Sequence, residues 1–444
     1  MYTFGFDFRP WATAKPIAPA AEIKQYLQGA IDDEGLQRHI RYGHHIVRAE
    51  WFSADRRWHL LCENGYRFEC WFLLGCAGYY DHDRGHEPEF PGAGRFVASG
   101  GRIVHPQKWA PDVVIKDKRV VVIGSGATAV TIVPAIASEA AHVTMLQRSP
   151  SYIIPVRNWD AVADAALKVG TSPTELHRQN RERKVAEMEQ LVNSPDIARM
   201  SQEEKNNMAI SFARSVLPPE CMSDEEFKKH FTPKYNMWEQ RVCLAPDADF
   251  FRAITKKKAS IVTDAVESFD ERGIKLRSGG RIDADVIVTA TGLQLHANPP
   301  MATMKVIIDG SPYVGNTHVA YKDCMLSDVP NFAFIRGYFQ GSWTLKADLV
   351  CAFVCRLLAH MRQHRHDVVR PRVPPSGAGS PPAMSVSAGY VLRSAHTFVS
   401  YGAGLWGPLA HYPSDKTFME QAPIVDEALE FLSDRAPAAQ RSRL

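Results

Sequence analysis

Residues 118–130 read KRVVVIGSGATAV, and this stretch decides the fold class of the chain. A run of β-branched residues from Val120 predicts a buried strand, and the motif G-x-G-x-x-A follows it at once. Gly124 permits a tight turn, Gly126 lets the backbone approach a pyrophosphate, and Ala129 lets the next helix pack closely on the strand. The stretch predicts a dinucleotide-binding βα unit. The alternative is a βα unit whose glycine turn binds no nucleotide. We assign its cofactor contacts to Gly124, Ser125, Gly126, Ala127, Thr128, Ala129 and Val130.

The end of the next strand selects the nucleotide. Residues 142–146 form the next predicted strand, and Gln147 and Arg148 follow it. A carboxylate at this point would hold the ribose hydroxyls of NAD, whereas an arginine suits the extra phosphate of NADP. Arg148 could also be a solvated charge at a strand end. We interpret Gln147 and Arg148 as contacts to NADP.

Length and composition are those of a soluble globular enzyme. The 444 residues are too many for one ordinary domain, so two or three are expected. The formal charge of +3 is small and scattered, which argues against a nucleic-acid partner. Eight cysteines without C-x-x-C spacing are typical of reduced thiols in the cytoplasm, and we interpret Cys351 and Cys355 as core residues. No apolar run is long enough to span a membrane, but peripheral association of the protein with a membrane surface remains an alternative. No metal site is predicted.

Two parts of the chain share one pattern. Before the motif, a helix is predicted over 21–36, a hairpin with a type I′ turn at Asn64-Gly65, and an apolar strand over 71–74 that ends in glycines. After it, a second hairpin pair over 266–276 precedes an apolar strand that runs into Ala290-Thr291-Gly292. We interpret this as a diverged repeat whose first copy lacks the glycine motif. Alternatively, the first copy is a plain meander that never held a nucleotide.

The remaining segments read as helices and loops. Residues 159–218 are charged and helical in composition, and such an insertion either caps an active site or forms a surface helical hairpin. A helix is predicted over 346–361, a proline, glycine and serine loop over 371–382, and a short helix over 425–432.

A family resemblance enters at residues 101–110, GRIVHPQKWA. This segment resembles the fingerprint F-x-G-x-x-x-H-x-x-x-W-P of Baeyer–Villiger flavin monooxygenases, with Gly101, His105 and Trp109 in register. The chain is similar to the ethionamide-activating type in particular, and the similarity extends to about Arg393. Other matching segments are MYTFGFDFRPW, HVTMLQRSP, HFTPKYNMWEQRVCLAPDADFFRAI, DADVIVTATGL and SWTLKADLVCAFVCRLL.

The chain departs from the family pattern at several places. Phe96 is displaced relative to Gly101, and Ala110 replaces the final proline of the fingerprint. Family members begin with an FAD-binding strand, a G-x-G-x-x-G turn and an aspartate before M-Y-T, whereas this chain begins at M-Y-T. The repeat and the resemblance both predict that several dozen residues are missing. They allow for a separate N-terminal fragment as a partner.

The resemblance implies a chemistry and residues for it. NADPH reduces FAD, O₂ reacts with the reduced flavin, and oxygen is transferred to a ketone, thioether or thioamide. Arg241 in WEQRVCL matches the family's catalytic arginine, although an interdomain ion pair is the alternative. His105 is the second residue assigned to the catalytic site. It would couple NADP binding to domain movement rather than perform bond chemistry. Ile46 and Gly78 would contact FAD.

The expected architecture is α/β, with two dinucleotide-binding, Rossmann-like three-layer domains. Residues 1–116 form a partial FAD-binding domain and linker that lacks its N-terminal βαβ unit. Residues 117–295 form an NADP-binding domain with the helical insertion 159–218, and 296–444 return to the FAD-binding domain and a tail. The expected function is an NADPH- and FAD-dependent monooxygenase, weak or inactive alone. The alternative is an NADP-binding remnant without redox activity. A flavin-free reductase is disfavoured because no Tyr-x-x-x-Lys arrangement is placed to serve it.

Overall fold

A computed structural model describes residues 1–295, 304–338, 341–372, 387–394 and 397–433. Its α-helices are α1 Ala20–Asp33, α2 Ala93–Ala98, α3 Ala127–Ile136, α4 Ala161–Lys168, α5 Pro173–Asn193, α6 Pro195–Arg199, α7 Gln202–Ser215, α8 Asp224–Phe231, α9 Asp249–Thr255, α10 Trp343–His364, α11 Gly389–Ser394 and α12 Tyr412–Gln421.

Strands are numbered in the same way. They are β1 Ile46–Phe52, β2 Arg57–Cys62, β3 Arg67–Cys70, β4 Leu73–Gly75, β5 Tyr80–Gly85, β6 Arg102–Val104, β7 Arg119–Ile123, β8 His142–Gln147, β9 Ile153–Val156, β10 Cys243–Pro246, β11 Ala259–Thr263, β12 Val266–Asp270, β13 Gly273–Leu276, β14 Arg281–Asp283, β15 Val286–Thr289, β16 Leu293–Leu295, β17 Lys305–Ile308, β18 Ser311–Pro312, β19 Ala320–Tyr321, β20 Met325–Leu326, β21 Phe332–Phe334, β22 Val368–Pro371 and β23 Leu429–Leu432.

A parallel sheet organises the middle of the chain. Its strand order is β11-β8-β7-β15-β6, and all four pairings are parallel. From β7 the chain adds β8 on one side and β15 on the other, so the order reverses at the carboxyl end of β7. Helix α3 packs on one face, and the meander β12-β13-β14 covers the other. This confirms the three-layer, Rossmann-like prediction. The sheet also takes in β6, from residues that the sequence assigned to the linker.

A second group of strands joins the two ends of the chain. Strand β1 pairs antiparallel with β2 and parallel with β17, while β4 pairs parallel with β21. Residues beyond 304 therefore complete sheets that begin before residue 76. Helix α10 packs beside them with an apolar face inward, which confirms the helix predicted over 346–361. The predicted segment missing before Met1 stays a prediction.

The first hairpin is confirmed, but its turn type is not. Strands β2 and β3 pair antiparallel, with Leu61 opposite Arg67. A type I′ turn needs positive φ at both central residues, and only Gly65 has it, at 86°. The Cys62 N–H donates to the Tyr66 carbonyl at 2.8 Å, which closes a three-residue loop with glycine at its last position. The type I′ prediction is therefore wrong because Asn64 keeps negative φ.

The helical insertion is confirmed as α4 to α7 and extends into α8. Asp160 caps α4 and serines cap α5 to α8. Ser201 and Ser223 form capping boxes with the glutamates three residues later. On α5, Arg181 forms an ion pair with Asp348 of α10 at 2.6 Å. The insertion thus contacts the helix that belongs to the other group of strands.

Two local predictions are wrong. Cys351 and Cys355 are exposed, because the buried stripe of α10 runs through Val350, Phe353 and Val354 instead. The helix predicted over 425–432 is partly strand β23, which pairs antiparallel with β22. That long-range pairing outweighs a weak local helical pattern. The predicted proline-rich loop 371–382 lies outside the described residues from 373 onward.

No helix in the described ranges is both long enough and apolar enough to cross a membrane.

Candidate functional site

The glycine turn after β7 forms an open cradle at the N-terminus of α3. Gly124 has φ of 134°, and a Cβ on it would lie 2.3 Å from the Ala290 carbonyl oxygen. Gly126 is the N-cap residue of α3, where no side chain accepts a hydrogen bond from the first turn. A Cβ on Gly126 would meet nothing within 4 Å. The first-turn N–H groups therefore face open space that fits an anionic phosphate.

The other residues of the turn divide into two groups. Gly126, Ala127 and Thr128 are exposed, while Ala129 and Val130 are buried against the sheet. The Ser125 hydroxyl donates to the Ser149 carbonyl at 3.0 Å, which ties the turn to the segment after β8. The side chains of Ala129 and Val130 can therefore support the cradle but cannot touch a ligand in it.

The structure separates Gln147 from Arg148. Arg148 is exposed and has no hydrogen bond or ion pair with any residue the structure describes, so its charge is available to an anion. Gln147 is 1% exposed at the end of β8. Its Nε2 donates to the His230 carbonyl and to Thr263 Oγ1, both at 2.8 Å. Gln147 therefore acts inside the protein, and the sequence analysis missed His230 as its partner.

Arg241 lies shortly before β10 and meets residues from the other group of strands. Its Nη2 is 3.2 Å from the Tyr79 hydroxyl and its Nε is 3.4 Å from the Tyr390 hydroxyl. Within the described ranges no carboxylate forms an ion pair with Arg241, so the alternative of an interdomain ion pair has no partner there. Burial, before any other cause, raises the pKa of Tyr79 and of Tyr80, and both phenols stay neutral at pH 7. The guanidinium charge is therefore not neutralised.

The phenols around Arg241 are held in place by other aromatic rings. The Tyr79 hydroxyl donates to the Tyr80 hydroxyl at 3.0 Å. The Tyr79 ring stacks on Trp343, the first residue of α10, with centroids 5.0 Å apart and planes 24° apart. A Cβ on Gly337 would lie 2.3 Å from the Trp343 ring, so this packing requires a glycine there.

His105 lies away from Arg241. It follows β6, is 8% exposed and packs over Gly85, where a Cβ would lie 2.0 Å from its Cε1. Gly85 and Tyr80 are the two ends of β5, which pairs antiparallel with β16 as a two-stranded ribbon. The five residue steps from Tyr80 to Gly85 span about 16 Å. His105 and Arg241 thus meet opposite ends of this ribbon, and the structure does not bring them together.

The two residues assigned to FAD lie among the second group of strands. Ile46 begins β1 and packs partly buried against its core. Gly78 follows β4 with φ of 72°, and a Cβ there would meet nothing within 4 Å. It directly precedes Tyr79, so it places open backbone next to the phenols around Arg241.

No set of three or more His, Cys, Asp or Glu residues in the described part of the chain is arranged to hold a metal ion.

The chain is similar to known proteins in sequence and in fold. Residues 17–199 match a family model described as flavin-binding monooxygenase-like. The chain is 40% identical over 445 residues to the FAD-containing monooxygenase EthA of Mycobacterium tuberculosis, covering 98% of this chain and 88% of that protein. It is 36% identical over 439 residues to the "Probable FAD-binding monooxygenase AlmA" of Acinetobacter baylyi, covering 97% and 85%. A solved steroid monooxygenase bound to NADP has the same fold, with a TM-score of 0.72 at 20% identity over 97% of this chain and 89% of that one.

Proposed function

Because the chain belongs to the flavin-binding monooxygenase family, we propose that it uses NADPH, FAD and O₂ to insert an oxygen atom into a ketone or a sulfur compound. The observation that carries the proposal is Arg241, a permanent cation held by the hydroxyls of two tyrosines. A guanidinium without a carboxylate partner can stabilise negative charge that develops beside it. Tyr79 and Tyr390 accept its hydrogen bonds and fix its direction.

The cradle after β7 would hold NADP. The N–H groups at the start of α3 would bind the pyrophosphate, and the open space before Gly126 leaves room for it. Arg148 would bind the 2′-phosphate through charge-assisted hydrogen bonds. His105 would act as a positioning residue, because it packs on the ribbon whose other end carries Tyr80.

FAD would lie on the side of β4 and α10. Gly78 offers open backbone there, and the Ser342 N-cap hydroxyl donates to the Thr3 carbonyl rather than accepting from α10. Among the described residues no side chain caps the first N–H groups of this 22-residue helix, so they would be available to an anion. Ile46 would lie near the adenine. When bound, reduced FAD supplies the electrons that activate O₂.

The domain boundaries belong to the same proposal. Residues 117–295 would form the NADP unit, and 1–116 with 296–444 the FAD unit. The pairing of β17 with β1 and of β21 with β4 supports this division, since it joins segments far apart in sequence.

Oxygen uptake tests the proposal. The purified chain, supplied with FAD and NADPH, is assayed for O₂ consumption and for product with a ketone and with a thioether. We expect NADPH and O₂ to be consumed in equal amounts with at least one product. A chain that binds NADP⁺ but never oxidises NADPH would instead be the binding-only remnant.

Arg241→Ala tests the role of the cation. We expect kcat to fall about 100- to 1,000-fold, as when a single anion-stabilising donor is removed, while NADP⁺ still binds. Arg199→Ala is the matched control, because Arg199 is exposed on the insertion and its one ion pair is 3.9 Å long. Normal oxygenation by Arg241→Ala would remove this residue from the mechanism.

A further inference from the structure

His230 ties the helical insertion to the nucleotide edge of the parallel sheet. It follows Lys229 near the end of α8, and its backbone carbonyl accepts a hydrogen bond from Gln147 Nε2 at 2.8 Å. Its Nδ1 is 2.7 Å from Thr263 Oγ1. Gln147 and Thr263 end the neighbouring strands β8 and β11 and are register partners. His230 is therefore fixed at two points to the carboxyl edge of the sheet.

The hydrogen bonds determine which ring nitrogen carries the proton. Gln147 Nε2 uses one hydrogen on the His230 carbonyl and the other on Thr263 Oγ1. Among the described residues the Thr263 hydroxyl has no acceptor other than His230 Nδ1, so it donates there. A neutral His230 then carries its hydrogen on Nε2. That N–H group has no hydrogen-bond partner in the described part of the protein.

The charged groups around His230 are of both signs. On α8, Glu226 and Lys229 lie beside the ring, and from the sheet edge Asp264 follows Thr263. Burial first, and then the Lys229 charge, lowers the pKa of His230, while Glu226 raises it. The ring is therefore neutral at pH 7. Arg148 follows Gln147 directly and is exposed at the same edge.

We infer that His230 is a further specificity residue for NADP, donating a hydrogen bond from Nε2 to the 2′-phosphate beside Arg148. The inference rests on the proposed function. The buried Gln147 amide holds the histidine carbonyl, and Thr263 holds the ring in the tautomer whose Nε2–H has no partner among the described residues. Gln147, which ends β8, thus acts on the ligand through His230, while its neighbour Arg148 acts directly. NAD, which lacks this phosphate, gains nothing from His230.

Titration of the full chain with NADP⁺ and with NAD⁺ by calorimetry tests the inference. His230→Gln keeps a polar side chain that does not titrate. We expect its dissociation constant for NADP⁺ to rise about tenfold, the loss typical of a hydrogen bond to a charged group, and that for NAD⁺ to stay unchanged. His142→Gln is the matched control. His142 begins β8 and its ring also contacts a hydroxyl, Ser260 Oγ, at 2.8 Å, but at the amino ends of the strands.

The pH dependence gives a readout that a structural role would not move. Protonation adds a charge to His230, and burial lowers its pKa below the ordinary value of 6.5. The preference for NADP⁺ over NAD⁺ should therefore increase more in the unaltered chain than in His230→Gln between pH 7 and pH 5. Protonation of the phosphate itself affects both proteins equally. Parallel pH profiles for the two proteins would overturn the inference.

The outcomes separate this inference from the proposed function. If the unaltered chain prefers NADP⁺ and Arg148→Ala abolishes the preference while His230→Gln keeps it, the inference fails alone. If the unaltered chain binds neither nucleotide, the proposed function fails with it. Should His230→Gln not fold, Thr263→Val removes the hydroxyl that orients the ring. It should reduce the NADP⁺ preference several-fold, and an unchanged preference contradicts the inference.

Discussion

The two glycines of the turn after β7 should respond to alanine in opposite ways. At Gly124, alanine would adopt φ of 134° and bring its Cβ to 2.3 Å from the Ala290 carbonyl oxygen. Backbone strain of this kind costs about 1–3 kcal/mol, and relieving the clash moves β7 away from β15. At Gly126, alanine meets ordinary φ of −77° and open space, so folding loses only the N-cap preference for glycine over alanine, about 1 kcal/mol or less. The added methyl group instead fills the space reserved for the pyrophosphate.

Thermal unfolding and NADP⁺ titration measure both effects on the same samples. Gly124→Ala should lower the melting temperature by roughly 2–12 °C for a unit of this size. Gly126→Ala should melt within about 4 °C of the unaltered chain. It should bind NADP⁺ about tenfold more weakly, a loss of ~1.4 kcal/mol. Gly170→Ala, at a positive φ with open space around it, controls for strain without a clash. If Gly126→Ala binds NADP⁺ normally, the open space is not the phosphate site and the cradle assignment is refuted.

Two further predictions concern buried and paired carboxylates. Asp323 is fully buried against Arg336 and Lys346. Asp323→Asn removes the carboxylate that both buried cations contact, so it should lower the free energy of unfolding by about 3–5 kcal/mol in urea titrations. A hydrogen bond from Arg281 is the largest cause that lowers the pKa of Asp270 below its ordinary value of 3.8. The ionised Asp270 carboxylate therefore stabilises the folded chain above pH 3.8, and this stabilisation is lost as the carboxylate becomes protonated at lower pH. The difference in free energy of unfolding between the unaltered chain and Asp270→Asn should narrow below about pH 4.

Each of these two has an outcome that contradicts it. Asp328→Asn is the control for Asp323, because its side chain is 41% exposed and its ion pair with Arg372 is 3.4 Å long. Equal losses for the two variants would mean that burial of Asp323 does not matter. For Asp270, a stability gap that stays constant between pH 7 and pH 3 would show that its ion pair does not govern its protonation.

The strongest local patterns were sufficient to predict the nucleotide unit. A β-branched run, a glycine at positive φ and a small residue at the first helical turn act within a dozen residues, so strand β7, the turn and α3 appear as predicted. The family resemblance added the cofactors and drew attention to Arg241. Neither showed that Arg241 is held by phenols, because Tyr79 and Tyr390 lie 162 and 149 residues away along the chain.

The errors at Leu429 and Cys351 share one cause, which is that local patterns do not reveal their distant partners. The local pattern around Leu429 predicted a helix, but this segment pairs with β22 as a strand. Cys351 was predicted to lie in the core, but other residues of α10 occupy it. His230 carried no local signal, since its role depends on Gln147, 83 residues before it. The sequence alone determined where backbone conformation is restricted, as at Gly124. Only the tertiary structure decided which side chains share the edge of the sheet, because contacts across many residues depend on how the whole chain packs.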